Sequence, residues 1–125
     1  MLTGSITGAI EALEHVLKPL SPRTIVPGHG QVCGSEVIDD VLGYLRFVWQ
    51  LARQGKEAGL SPLQAALETD LGGYADLPDR ERIVGNLHRA YAELDGADRG
   101  SPVDVLTAFA DMVAYNGGKP LRCLA

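Results

Sequence analysis

The residue of this sequence best suited to chemistry is a histidine held between two glycines. His29 lies in the stretch Thr24-Ile25-Val26-Pro27-Gly28-His29-Gly30, directly after a short β-branched run. This run predicts a buried strand over residues 24–26, which Pro27 ends because proline lacks the N–H that a β-ladder needs. The glycines allow a sharp turn that presents His29 at the end of the strand. Since neutral imidazole binds zinc, iron and manganese, the motif predicts a metal ligand at His29. The structural alternative is a turn histidine whose ring bonds a nearby carbonyl.

The other residues that could do chemistry form no catalytic pattern. Cys33 follows His29 by four positions, a spacing that would let both reach one metal, and His15 is one position off the apolar stripe of its helix. No serine stands in a GxSxG nucleophile elbow. Neither Gly72-Gly73 nor Gly117-Gly118 precedes the Lys-Ser/Thr of a phosphate-binding loop. The residues by themselves therefore assign no catalytic group.

Composition and charge exclude several classes of protein. The 125 residues suffice for one modest domain, with 46% hydrophobic and 22% charged residues. A formal net charge of −5 without a basic cluster argues against a nucleic-acid partner. No run approaches the ~18 consecutive apolar residues of a membrane span. Cys33 and Cys123 are far apart and lack CxxC spacing, which favours reduced thiols in a cytoplasmic protein.

Apolar periodicity and capping residues predict about five helices and one short strand, so the expected fold class is mainly α. The predicted helices cover residues 5–18, 35–58, 61–71, 78–95 and 101–116. Ser5 and Ser35 are expected N-caps, and Ser-Pro pairs at 61–62 and 101–102 are expected to start the third and fifth helices. An extended tail is expected over residues 119–125.

The predicted strand poses a physical problem, because its N–H and C=O groups need a neighbouring strand. A buried strand at 24–26 with no partner in its own chain implies a sheet that these residues do not contain. In the chain alone, the strand would pair with a second copy or with the tail, or be replaced by a loop.

The helix, the short strand and the Pro-Gly-His-Gly turn together resemble the last metal-ligand motif of the metallo-β-lactamase-fold hydrolases. The resemblance is strongest over residues 4–50. It implies that residues 1–34 are a remnant of an αββα metallo-β-lactamase-like domain and that residues 35–125 are a helical carboxy-terminal region, together one compact unit. The family's main ligand motif, His-x-His-x-Asp-His, is absent from this sequence.

The resemblance also implies roles for particular residues. His29 would bind one of the active-site metals, zinc or else iron or manganese, and every other ligand would come from a missing amino-terminal domain. His88 and Arg89 are candidates for the mouth through which substrate reaches the active site. The alternative for His88 is a helix-packed histidine with a hydrogen-bond partner, since it lies four residues from Val84 at the edge of an apolar stripe.

Three functional hypotheses follow. In the first, the chain is the carboxy-terminal part of a hydrolase whose metal-bound hydroxide attacks an ester, amide or thioester, and it holds no metal and has no activity alone. In the second, it is a stand-alone helical module that forms a homodimer through apolar helix faces, such as the one bearing Phe47 and Trp49. In the third, His29 and either Cys33 or His15 of two subunits share a metal.

Overall fold

Five α-helices form the framework of the computed structural model, which describes residues 2–122. In chain order they are α1 (Ile6–Ala12), α2 (Glu36–Glu57), α3 (Pro62–Glu68), α4 (Arg82–Leu94) and α5 (Val105–Tyr115). Leu13–Leu17 continues α1 as a π-helix, and Gly72–Tyr74 is a 3₁₀ turn. The mainly α class with five helices is confirmed. Met1, Cys123 and the end of the predicted tail lie outside the described residues.

The central helix is α4, because α1, α2, α3 and α5 all pack against it. Its buried side chains meet those of α2, α3 and α5 in one apolar core, where each fully buried aliphatic side chain contributes about 1.5–3 kcal/mol. Gly55 lets α3 approach α2 closely, since a Cβ there would lie 2.8 Å from the Cβ of Ala65. Among residues 2–122, no helix is both long and apolar enough to cross a membrane. The main core residues are Ile6, Leu45, Val48, Leu51, Ala52, Ile83, Val84, Leu87, Ala90 and Met112.

Two of the predicted helix caps are present. The Ser5 hydroxyl accepts the Gly8 N–H at 2.9 Å at the start of α1. The Ser61 hydroxyl accepts the Gln64 N–H at 3.2 Å, while the Gln64 side chain accepts the Ser61 N–H at 2.9 Å, which completes a capping box at α3. These caps were predictable because they involve only residues three positions apart.

Two other predicted helix starts are wrong, and one predicted cap lacks its hydrogen bond. Ser35 is the N-cap residue of α2, but its side chain makes no capping hydrogen bond. The fourth helix begins four residues later than predicted, because Asp79 takes a left-handed backbone with φ +54°. The fifth begins at its cap Asp104, whose carboxylate accepts the Thr107 N–H at 3.1 Å and the Thr107 hydroxyl at 2.6 Å. Ser101 therefore remains in the preceding loop instead of capping α5.

The predicted buried strand 24–26 is also wrong. Residues 2–122 contain no strand, and this segment forms one isolated antiparallel bridge between Ile25 and Cys33. Thr24 and Val26 are exposed. Pro27 has no N–H with which to extend the ladder beyond the bridge. The partner that the backbone of Ile25 requires thus comes from its own chain, eight residues later.

Candidate functional site

His29 lies at the exposed tip of a loop that the bridge between Ile25 and Cys33 closes. The Ile25 N–H donates to the Cys33 carbonyl at 2.8 Å, and the Cys33 N–H donates to the Ile25 carbonyl at 3.0 Å. The Cys33 thiol is 3.8 Å from the same Ile25 carbonyl, so it is directed at the bridge as a weak donor. His29 is therefore exposed on the loop, whereas the Cys33 thiol turns back to the backbone.

The two glycines that flank His29 have different backbone conformations. Gly30 has φ +92°, in the left-handed region, whereas Gly28 does not have a left-handed φ. A Cβ at either position would meet no atom within 4 Å. The loop therefore requires glycine at position 30 because of its left-handed backbone, and not because a side chain there would clash.

Replacing Gly30 by alanine is expected to loosen this loop, while Gly28→Ala should leave it unchanged. A left-handed alanine costs about 1 kcal/mol, which corresponds to about fivefold faster opening of the bridge. Amide hydrogen exchange at Ile25 and Cys33, the two bridge donors, measures this opening. Equal exchange rates in the two alanine variants would contradict the assignment.

Exposed aliphatic side chains surround the loop in sequence. We call five of them the apolar flank: Val16 (58% exposed), Leu17 (42%), Leu20 (69%), Val26 (77%) and Val32 (63%). Val26 follows the bridge residue Ile25, and Val32 precedes the bridge residue Cys33, so both lie within the loop that carries His29. Single exposed aliphatic residues are ordinary on protein surfaces, but here they concentrate in the segment that carries His29.

Residues 2–122 do not supply a complete metal site. No group of three or more His, Cys, Asp or Glu side chains within this range could hold a metal ion. The His15 side chain is 75% exposed and lies 3.9 Å from Glu14. Catalytic zinc takes three protein ligands and a water. The described residues do not supply three ligands at one place, and the His29 loop contributes one imidazole. No catalytic step through a metal follows from these residues alone.

His88 and Arg89 are neighbours in α4 but have different surroundings. His88 Nε2 lies 2.8 Å from Asp111 Oδ2, which links α4 to α5 with both side chains largely buried. Arg89 is fully buried, and its Nη2 donates to the Leu2 carbonyl at 2.9 Å and to the Ser101 carbonyl. In this structure both side chains connect elements of the fold, and their role in substrate access stays a prediction.

The guanidinium of Arg89 is only partly satisfied. Its Nε and Nη1 find no hydrogen-bond acceptor among residues 2–122, and neither does the buried hydroxyl of Ser101 find a partner there. A guanidinium has five N–H donors, and the two carbonyls of Leu2 and Ser101 engage only Nη2. Arg89 thus ties the amino-terminal segment and the loop before α5 to the central helix.

A carboxylate that no pattern in the sequence identifies holds α1 in place. Glu93 Oε1 accepts the Ile6 N–H at 2.7 Å, and Oε2 accepts the Thr7 N–H at 3.1 Å, the Thr7 hydroxyl at 2.7 Å and the Ser5 hydroxyl at 3.1 Å. Burial alone would raise the pKa of Glu93, but the hydrogen bonds from Thr7, Ile6 and Ser5 outweigh it and lower the pKa. Negative charge at a helix amino terminus is also favoured by the helix dipole.

The Glu93 contact had no usable signal in the sequence. Ser5 and Thr7 mark a helix start, but they do not identify a partner that lies 86 to 88 residues away.

Comparison of the chain with protein-family models, with curated proteins and with solved structures found no match.

Proposed function

We propose that this chain is the carboxy-terminal part of a cytoplasmic, metallo-β-lactamase-like hydrolase and is inactive without the rest of that protein. Zinc is the expected metal, with iron or manganese as alternatives, and His29 would be one of its ligands. The observation that carries this proposal is the loop itself: an exposed histidine on a bridge-closed turn, with exposed aliphatic side chains in the same segment.

The exposure of the apolar flank supports the proposal that another domain packs on this segment. Val26 and Val32 are 77% and 63% exposed although valine gains by burial, and covering such side chains contributes about 25 cal/mol per Å² of apolar area. An αββα domain packed on this segment would cover these side chains and bring its own metal ligands to the loop. In this proposal residues 1–34 are the piece of that domain contained in this chain.

The remaining helices would serve as the support for the loop. Glu93 and Arg89 attach the first residues of the segment to α4, and the Lys18 ammonium donates to Asp39 Oδ1 at 2.5 Å near the start of α2. Glu93 and Arg89 thus hold the beginning of this segment against α4, and the exposed Lys18–Asp39 pair links its end to α2. His29 would then be positioned by a framework that does not depend on the missing domain.

Two observations test the proposal. The reading frame upstream of the Met1 codon should encode an in-frame His-x-His-x-Asp-His motif, and the purified chain should hydrolyse no ester, thioester or β-lactam. An upstream frame without the motif, or turnover by the chain alone that is lost on His29→Ala, would overturn it.

The second candidate function is a self-associating helical module, and the outer face of α5 favours it. Leu106 is 84% exposed, Phe109 46% and Val105 40%, so α5 presents apolar side chains on the side away from the core. This hypothesis predicts a stable dimer that chelators do not dissociate, whereas the first predicts that the chain has no fixed dimer interface. Sedimentation equilibrium with and without EDTA distinguishes the two.

A further inference from the structure

A cavity of about 510 Å³ lies between the first half of α4, α5 and the segment that follows α5. This volume is within the range of small-molecule sites, about 300–1,000 Å³. None of its lining residues belongs to the His29 loop or the apolar flank. The cavity is therefore separate from the site proposed above.

The walls of the cavity divide into an apolar and a polar end. Leu2, Phe109 and Met112 line this cavity and not the adjoining pocket. Glu81 and Arg122 line both, and Lys119 lines the adjoining pocket. These apolar side chains thus lie away from that junction. Of the three charged residues that line the cavity, Glu81 and Arg122 lie at the junction, whereas Arg82 is paired with Asp79. A ligand that fills the cavity would place an apolar group against Phe109 and Met112 and its polar groups beside Glu81 and Arg122.

Glu81 is the residue at the polar end that most requires a ligand. It is only 6% exposed, and its carboxylate has no hydrogen bond or ion pair with any other residue of 2–122. The neighbouring Arg82 does not neutralise it, because the Arg82 guanidinium pairs with Asp79 at 3.2 Å. The carboxylate oxygens of Glu81 are not among the enclosed side-chain atoms that lack a partner, so they open onto the cavity that Glu81 lines, where a cationic donor would pair with them.

Arg122 supplies the opposite charge at the same end. Its side chain is exposed and lines the cavity, and its carbonyl is held by Arg82 Nη2 at 3.4 Å. A guanidinium is the preferred donor to a carboxylate. One acid and one base beside an apolar chamber therefore match a ligand that carries both charges and an apolar group.

We propose that this cavity binds a free α-amino acid with an apolar side chain. Its ammonium group would donate to Glu81, its carboxylate would accept from Arg122, and its side chain would contact Phe109 and Met112. A purely anionic ligand would be repelled by Glu81, and a purely cationic one would leave Arg122 without a partner. The assignment is independent of the role of His29.

Isothermal titration of the 125-residue chain with L-phenylalanine tests the proposal. The expected dissociation constant is on the order of 0.1–1 mM for a ligand of this size. Glu81→Gln and Arg122→Gln should each weaken binding about tenfold or more. Glu57→Gln, at an exposed position outside the cavity, is the matched control and should bind like the wild type.

Two analogues test the recognition of each charge. 3-Phenylpropanoate lacks the ammonium group and 2-phenylethylamine lacks the carboxylate, so both should bind about tenfold or more weakly than phenylalanine. Arg122→Gln keeps the test valid if Glu81→Gln fails to fold, because Arg122 is exposed. No saturation up to about 10 mM phenylalanine, equal affinity in the folded variants and the wild type, or equal affinity for either analogue would overturn the proposal.

Discussion

Replacing Glu93 by alanine is expected to lower the free energy of unfolding by about 3 kcal/mol at pH 7, because charge-assisted hydrogen bonds are worth about 1.5–3 kcal/mol each and several share one carboxylate. The variant leaves the N–H groups of Ile6 and Thr7 without their acceptor and removes the negative charge at the start of α1. Urea unfolding followed by the fluorescence of Trp49 measures the change.

The stabilisation by Glu93 should depend on pH in a defined direction. The hydrogen bonds lower its pKa below the usual 4.5 in the folded state, so the ionised form stabilises the fold. This contribution is present above the unfolded pKa and is lost as the pH falls through the folded pKa. The difference in stability between the wild type and Glu93→Gln should therefore shrink below about pH 4.5.

Glu11 provides the matched control for Glu93. It also joins α1 to a distant part of the chain, through a two-bond ion pair with Arg99, but the pair is exposed. Exposed ion pairs contribute little to stability, so Glu11→Ala should be close to wild type. If Glu11→Ala and Glu93→Ala were equally destabilised, or Glu93→Gln lost the same stability at every pH, the assigned role of Glu93 would be wrong.

The second large effect is expected at Arg89. Arg89→Ala should lower the free energy of unfolding by about 3 kcal/mol, since it leaves a cavity beside α4. It also deprives the Leu2 and Ser101 carbonyls of their donor. Thermal and urea unfolding of the variant measure the loss, and hydrogen exchange should show faster opening of the amino-terminal segment.

Arg46→Ala is the comparison for Arg89. Arg46 pairs with Glu14 at the surface, with its side chain 60% exposed, and its loss should change stability little. Substitution of a residue that controls substrate access should change KM and leave stability unchanged, whereas substitution of a buried anchor should lower stability. In the larger enzyme that we propose, an Arg89→Ala variant with wild-type stability but altered KM would support the access role and contradict the anchoring role.

The sequence predicted those features that depend on neighbouring residues. The Ser5 cap, the Ser61 capping box and the number of helices follow from residues within one or two turns of each other. The chain also bends at residues 28–30 with His29 exposed, although the strand expected before this bend is absent. Local backbone preferences and apolar periodicity determine all of these, and both can be read directly from the chain.

The features that were missed or mistaken depend on contacts with residues elsewhere in the chain. Glu93 and Arg89 act on residues 87 positions away, near the start of the chain, which no local pattern encodes. At α5 the cap is Asp104 and not Ser101, whose carbonyl accepts a hydrogen bond from Arg89, twelve positions earlier. The strand prediction failed because Ile25 finds its partner in Cys33, across the His29 loop.

The metal content of the protein produced from the complete reading frame tests the central claim most directly. We predict that the purified wild type holds stoichiometric metal, and that His29→Ala lowers the metal content and the hydrolytic rate, whereas His15→Ala changes neither because His15 is exposed outside the loop. Elemental analysis of the three proteins, with the metal-to-chain ratio as the readout, provides the measurement. Equal metal content in His29→Ala and the wild type would contradict the assignment of His29 as a ligand.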